Sequence, residues 1–243
     1  MSPSYCLGLL LCDREREQLT ARFYDFPELF RRAFAPLAPG LDWRIYDVPA
    51  GELPARVEDC DGYLISGSRH STYEGLPWIE PLCAFVRALA AASRPAVGLC
   101  FGHQLMARAL GGEVRRAAQG WGLGVRDYET VGAASWMDPP LARFSVPVCH
   151  QDQVLALPRG ARRLASSAHC ENFVVEFAPH LLGLQAHPEV EPEFLDALIE
   201  LRRDSLPPDL YDEARRSLGR PHDSHALKRW IAHFLGITTA PLS

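Results

Sequence analysis

The chain lacks the features that would place it in several large classes of protein. It has no apolar run long enough to cross a bilayer: the stretch from Cys6 to Cys12 gives way at once to Asp13-Arg14-Glu15-Arg16-Glu17. A run this short, with no basic residues before it, reads as a buried strand rather than as a membrane helix or a signal peptide. It has no basic excess, since 25 Lys and Arg stand against 30 Asp and Glu for a net charge of -5. That balance argues against nucleic acid as a partner, because phosphates call for a basic face or stripe. The seven cysteines are an odd set with no Cys-x-x-Cys spacing, so no disulfide framework is expected. Neither that spacing nor a His-Glu-x-x-His run is present to hold zinc. There is no repeat, low-complexity block or glycine-serine linker. The expectation is one domain spanning residues 1–243, cytoplasmic, with no metal, no nucleic acid and no membrane partner.

What is present is a chain of 243 residues with 47% hydrophobic content, enough to bury a full α/β core. Short apolar runs alternate with longer amphipathic stretches. The spacing predicts strands at Cys6 to Cys12, Asp42 to Val48, Asp61 to Ser66 and Pro95 to Leu99, with helices at Pro27 to Ala35 and Trp78 to Ala92. That is the pattern of a flavodoxin-like, mostly parallel sheet with helices on both faces. After Gly112 the segments become short and alternating: Gly122 to Glu129, Gln153 to Leu157, Arg162 to Ser167, Glu171 to Phe177 and Leu181 to Gln185. They predict a small antiparallel extension of the sheet. Helical periodicity returns at Pro192 to Arg203, Leu210 to Leu218 and Ser224 to Leu235, giving a helical C-terminal segment over about 205–237.

The strongest chemical signal is Ala96-Val97-Gly98-Leu99-Cys100-Phe101-Gly102-His103-Gln104. A buried strand runs into Gly-x-Cys-x-Gly and then into a helix. Such a turn is crowded, and glycines at 98 and 102 remove the side chains that would collide, so that Cys100 is thrust out at the carboxyl end of the sheet. The helix N-terminus behind it favours negative charge, hence the reactive thiolate. A free cysteine is ordinarily a small core residue, and the other six keep that reading. Cys149-His150 and His169-Cys170 are adjacent pairs, which a strand would point to opposite faces rather than at one metal.

A thiolate needs a partner that protonates the leaving group and deprotonates water. The run Leu181-Leu182-Gly183-Leu184-Gln185-Ala186-His187-Pro188-Glu189 offers one: a histidine at a strand end, followed by a proline turn. Glu189 can bind one imidazole nitrogen and leave the other facing Cys100.

Together the two motifs resemble the class I glutamine amidotransferases, which release ammonia from glutamine through a γ-glutamyl thioester. The resemblance covers roughly residues 5 to 200. It implies a Cys100-His187-Glu189 triad and an oxyanion hole formed by the backbone amides of Ser68 and Phe101. It implies a binding role for Gly67 in Ser66-Gly67-Ser68-Arg69-His70-Ser71, and for Gln104. Val148-Cys149-His150-Gln151-Asp152-Gln153-Val154 resembles the family segment that cradles the substrate's α-amino and α-carboxylate groups. His150 and Gln151 would bind substrate there, although a polar turn between strands needs no ligand to explain it. Many members carry Gly-Gly-Pro where this chain has Gly67-Ser68-Arg69. The plant γ-glutamyl peptidases resemble it in having Gly-Ser there.

The implied activity is hydrolysis of a γ-glutamyl amide, glutamine to glutamate and ammonia, with no cofactor. The partner is a small γ-glutamyl molecule, either glutamine or a γ-glutamyl peptide. No phosphate loop ending in Lys-Ser or Lys-Thr is present, so amidotransfer requires a synthase partner in trans. The alternatives are a γ-glutamyl peptidase acting on glutathione-like peptides or conjugates and, in another class, a non-catalytic regulatory binding module.

Overall fold

The computed structural model describes residues 4–14, 19, 23 and 25–240. In the first half of the chain, β1 (Cys6–Leu11), α1 (Phe26–Phe34), β2 (Asp42–Asp47), β3 (Gly62–Ile65), α2 (Ile79–Ala91), β4 (Ala96–Leu99) and α3 (Phe101–Ala109) follow one another. A run of strands comes next: β5 (Glu113–Arg116), β6 (Gly122–Thr130), β7 (Arg143–His150), β8 (Asp152–Ala156), β9 (Arg162–Ser166), β10 (Val174–Ala178) and β11 (Leu181–Leu184). Then come α4 (Pro192–Glu200), α5 (Pro208–Ser217) and α6 (Ser224–Phe234). None of these helices is long and apolar enough to cross a membrane, among the described residues.

Nine strands make one sheet in the order β2-β1-β3-β4-β11-β10-β9-β6-β7, while β5 and β8 pair separately. The strands from β2 to β11 run parallel, and β10, β9, β6 and β7 are antiparallel to their neighbours. The α/β class and the mostly parallel sheet are as expected. The antiparallel extension is there with a different membership: Leu181–Leu184, expected in it, is buried on both faces and runs parallel beside β4, β8 pairs with β5 outside the main sheet, and β7, which the sequence pattern did not indicate, forms its edge.

The sheet separates two cores. Leu7, Leu9 and Leu11 of β1 pack on one face and Leu10 on the other, the alternation a strand imposes when both faces are covered. The first face receives Leu29, Phe30, Ala33 and Phe34 of α1, together with Phe194, Leu195 and Trp230 from α4 and α6. The second receives Leu82, Val86 and Leu89 of α2 and Leu105 and Met106 of α3. Each fully buried side chain of this size contributes about 1.5–3 kcal/mol. α1 starts where the Asp25 carboxylate accepts the Glu28 N–H at 2.8 Å, with proline in its first turn, a pairing that satisfies a helix-start amide.

Topology sets the position of the site. β4 lies between β3 and β11, all three parallel, with Leu99 opposite Leu184. The chain therefore leaves β3, β4 and β11 side by side at their carboxyl ends, where open α/β sheets place ligands. Ser66, Cys100 and Gln185 are the first residues past those ends.

Candidate active site

Cys100 has φ 48° and ψ -99°, a backbone state that costs about 1–3 kcal/mol in a residue with a side chain. It is fixed from both sides: its N–H donates to the Leu184 carbonyl at 2.8 Å, and its own carbonyl accepts from Gln104 N–H at 3.1 Å. The flanking glycines are required by contact. A Cβ on Gly98 would lie 2.4 Å from the carbonyl carbon and oxygen of Gly102, and one on Gly102 would lie 2.4 Å from the Ile65 oxygen. The sulfur is nearly buried and stands 3.9 Å from the Cys149 carbonyl.

His187 and Glu189 sit on a tight turn just past β11. The His187 N–H donates to Pro147 O at 3.0 Å, and Val190 N–H returns to His187 O at 3.2 Å. Within this turn His187 Nδ1 meets Glu189 Oε1 at 2.8 Å, with the carboxylate buried. Nε2 is left for the sulfur. Burial opposes a charge on His187, but the Glu189 carboxylate and the Cys100 sulfur outweigh it, by charge and by hydrogen bonding, and raise the imidazole well above its ordinary value. His187 can therefore carry its proton beside the Cys100 sulfur.

The loop after β3 closes the third side. Ser66 accepts the Cys12 N–H on its hydroxyl at 2.9 Å and the Gly102 N–H on its carbonyl at 3.2 Å. Arg69 is clamped to Asp13, with Nε 2.7 Å from Oδ1 and its backbone N–H 2.8 Å from Oδ2, and it also reaches the Arg14 carbonyl. Asp13 thus orders a loop that has Ser-Arg in place of the more usual Gly-Pro. Among the described residues neither the Ser68 nor the Phe101 amide has a hydrogen-bond partner, the state required of donors that await an oxyanion.

A polar pocket beside Cys100 is lined by Ser68, Gln104, Trp121, His150, Gln151 and Asp152, among others. Gln104 spans it, its amide donating to Asp152 O at 2.9 Å and to Gln185 Oε1 at 3.0 Å. Asp152 also accepts from the Tyr73 hydroxyl at 2.9 Å. Gln151 is held by Arg116. His150 is buried against Gly122, where a Cβ would come within 2.5 Å of its Nε2. Burial pushes it down to about 3, so it is a neutral wall of the pocket at physiological pH. Ser68, Cys100, Gln104, His150 and Gln151 border this pocket, and Gly67, His187 and Glu189 border the one adjoining it. Asp13 borders the adjoining pocket, Arg202 borders both, and Tyr73 reaches the site through Asp152. Asp13 and Arg202 belong to no motif, and only the tertiary fold brings them in.

The family pattern described as glutamine amidotransferase class-I matches residues 28–200. The chain belongs to the class I glutamine amidotransferase family. Like this member, γ-glutamyl peptidase 3 of Arabidopsis thaliana extends across most of the fold, being 32% identical over 205 residues, 81% of this chain and 80% of that one. The glutamine-hydrolyzing GMP synthase of Thermomicrobium roseum is 35% identical over 143 residues, 57% of this chain but 25% of the synthase. Among solved structures, a glutamine amidotransferase of Thermotoga maritima superimposes with a TM-score of 0.72 at 21% identity, covering 96% of this chain and 99% of that one. This last likeness is one of fold.

Proposed function

We propose that this amidotransferase-family chain, acting as one unit over residues 1–243, hydrolyses γ-glutamyl amides through a thioester on Cys100. The carrying observation is the strained Cys100 turn coupled to a His187 that Glu189 holds at 2.8 Å. The Cys100 thiolate attacks the γ-carbonyl carbon, and the carbonyl electron pair moves to oxygen, facing the Ser68 and Phe101 amides. As the tetrahedral species collapses, the C–N bond breaks and His187 gives its Nε2 proton to the departing amine. Neutral His187 then takes a proton from water, and the resulting hydroxide attacks the thioester. The C–S bond breaks, glutamate leaves, and the thiolate and imidazolium are restored. Glu189 keeps the imidazole in orientation and stabilises its charged form. Gly67 gives the imidazole room, and Gln104, His150 and Gln151 border the glutamyl group.

Within this class the peptidase reading is favoured. The likeness to a γ-glutamyl peptidase extends over 80% of that protein, whereas the likeness to the GMP synthase extends over 25% of it. Amidotransfer would need a synthase to take up the ammonia. A side-by-side release assay on purified protein, with glutamine, γ-glutamyl dipeptides and glutathione, tests the reading. Peptide cleavage that disappears in Cys100→Ala is the expected result. Cysteine-dependent ammonia release from glutamine alone would favour amidotransfer, and silence on every substrate would favour the non-catalytic binding module.

A further inference from the structure

Two pockets meet at Cys149, Ser68 and Arg69, and Arg202 lines both. The polar one lies on the Cys100 side, as described above. The other lies on the side of His187 and Glu189 and is walled by Phe26, Phe30, Val190, Phe194 and Leu198. Ammonia, the product that leaves glutamine, has no apolar surface to bury, so glutamine hydrolysis makes no use of these aromatic walls. An amino acid leaving from the same position differs. Its nitrogen takes the His187 proton, and from the adjoining Cα a side chain and a carboxylate diverge, requiring one apolar and one cationic subsite.

The cation is identified by elimination among the arginines that line the apolar pocket. Arg14 pairs with Asp47 at 2.8 Å, and Arg69 with Asp13 at 2.7 Å. Arg202 has no carboxylate partner among the described residues. Its guanidinium donates to the Leu198 carbonyl at 3.0 Å and lies over the Trp121 ring, 5.7 Å from the centroid. A half-buried arginine, anchored twice and lacking a counter-ion, has already met part of the ordering cost of binding a carboxylate. Arg202 also lies beyond residues 28–200, which the family pattern matches.

We propose that the preferred substrate is a γ-glutamyl dipeptide with an apolar second residue, whose side chain enters the pocket of Phe26, Phe30 and Phe194 and whose carboxylate pairs with Arg202. This rests on the γ-glutamyl hydrolase reading and specifies its leaving group. The bond broken is the γ-amide C–N bond, and the product released is the free apolar amino acid.

The test compares kcat/KM for γ-glutamyl-leucine, γ-glutamyl-leucinamide and γ-glutamyl-glycine in the wild type and Arg202→Gln. The wild type should prefer leucine to leucinamide by about tenfold or more, the worth of one charged hydrogen-bonded pair, and leucine to glycine by a similar factor. In Arg202→Gln the first preference should collapse towards one while the second persists. A wild type that does not distinguish carboxylate from carboxamide overturns the proposal without reference to any variant. So does an Arg202→Gln protein in which all three substrates fall by one common factor, since the arginine would then serve the glutamyl group or the fold. Absence of Cys100-dependent cleavage of every γ-glutamyl compound would overturn the underlying hydrolase reading instead.

Discussion

Gly67 lies against the His187 imidazole: a Cβ built on Gly67 would stand 2.6 Å from Cε1 and 3.5 Å from Nε2. The loop after β3 and the histidine after β11 are thus in contact across the β4 turn. The ring can hold its place beside the Cys100 sulfur only because position 67 has no side chain. Gly67→Ala should therefore push the imidazole aside, lowering kcat by about tenfold or more, since small misplacements of reacting groups are costly. Stability should fall by only about 1–3 kcal/mol, as for a local overpacking. Steady-state kinetics with a denaturant melt would check this, and an unchanged kcat would remove Gly67 from the account.

Glu189 raises the imidazole of His187, and the sign of its effect on stability follows. A group whose pKa is higher in the fold than in the unfolded chain stabilises fully below the unfolded value, near 6.5, and loses that contribution as pH rises through the folded value. The stability gap between wild type and Glu189→Gln should be widest towards pH 6 and should narrow as the pH is raised to 9. Turnover should drop by roughly a hundredfold, less than on loss of the nucleophile. Urea melts across that range would read the trend, and a gap that grows with pH would contradict it.

His103 is fully buried in α3, 5.4 Å from the Phe177 ring, and burial pushes it down to about 3 against a weak backbone contact from Asn172. Here the sign is opposite. The unfolded chain takes up the proton first, so stability present above pH 6.5 is lost as the pH falls towards 3, at a cost near pH 5 of about 2 kcal/mol for one such histidine. Unfolding free energies at pH 7 and pH 5 should differ by less in His103→Asn than in the wild type. Equal differences in the two proteins would exclude this histidine as a source of acid sensitivity.

β1, β3 and β4 were legible because strands covered on both faces read as short apolar runs, and the Cys100 turn because its glycines answer to contacts of 2.4 Å; the parallel direction of β11 was not, since an apolar run does not encode which neighbour it joins. β7 escaped notice for a physical reason. Pro147 stands inside it, and proline in a pattern ordinarily argues against a strand interior. Here Pro147 pairs with Val125, and its carbonyl accepts the His187 N–H at 3.0 Å, so the residue that obscured the strand helps to hold the histidine. β5, with the sequence Glu-Val-Arg-Arg, is too short and charged to signal a strand. The expected helix from Pro192 to Arg203 ends instead at Glu200, with a separate turn at Arg203–Ser205. Arg202 falls in that break. Its place over Trp121 depends on how α4 packs, which no local spacing encodes.

The most direct test of the account is to quench the purified enzyme with acid during turnover of a γ-glutamyl dipeptide and map the adduct by peptide mass spectrometry. One γ-glutamyl group is expected on the peptide containing Cys100, with no adduct and no turnover in Cys100→Ala. Turnover that survives in Cys100→Ala, or an adduct on another of the seven cysteines, would contradict it.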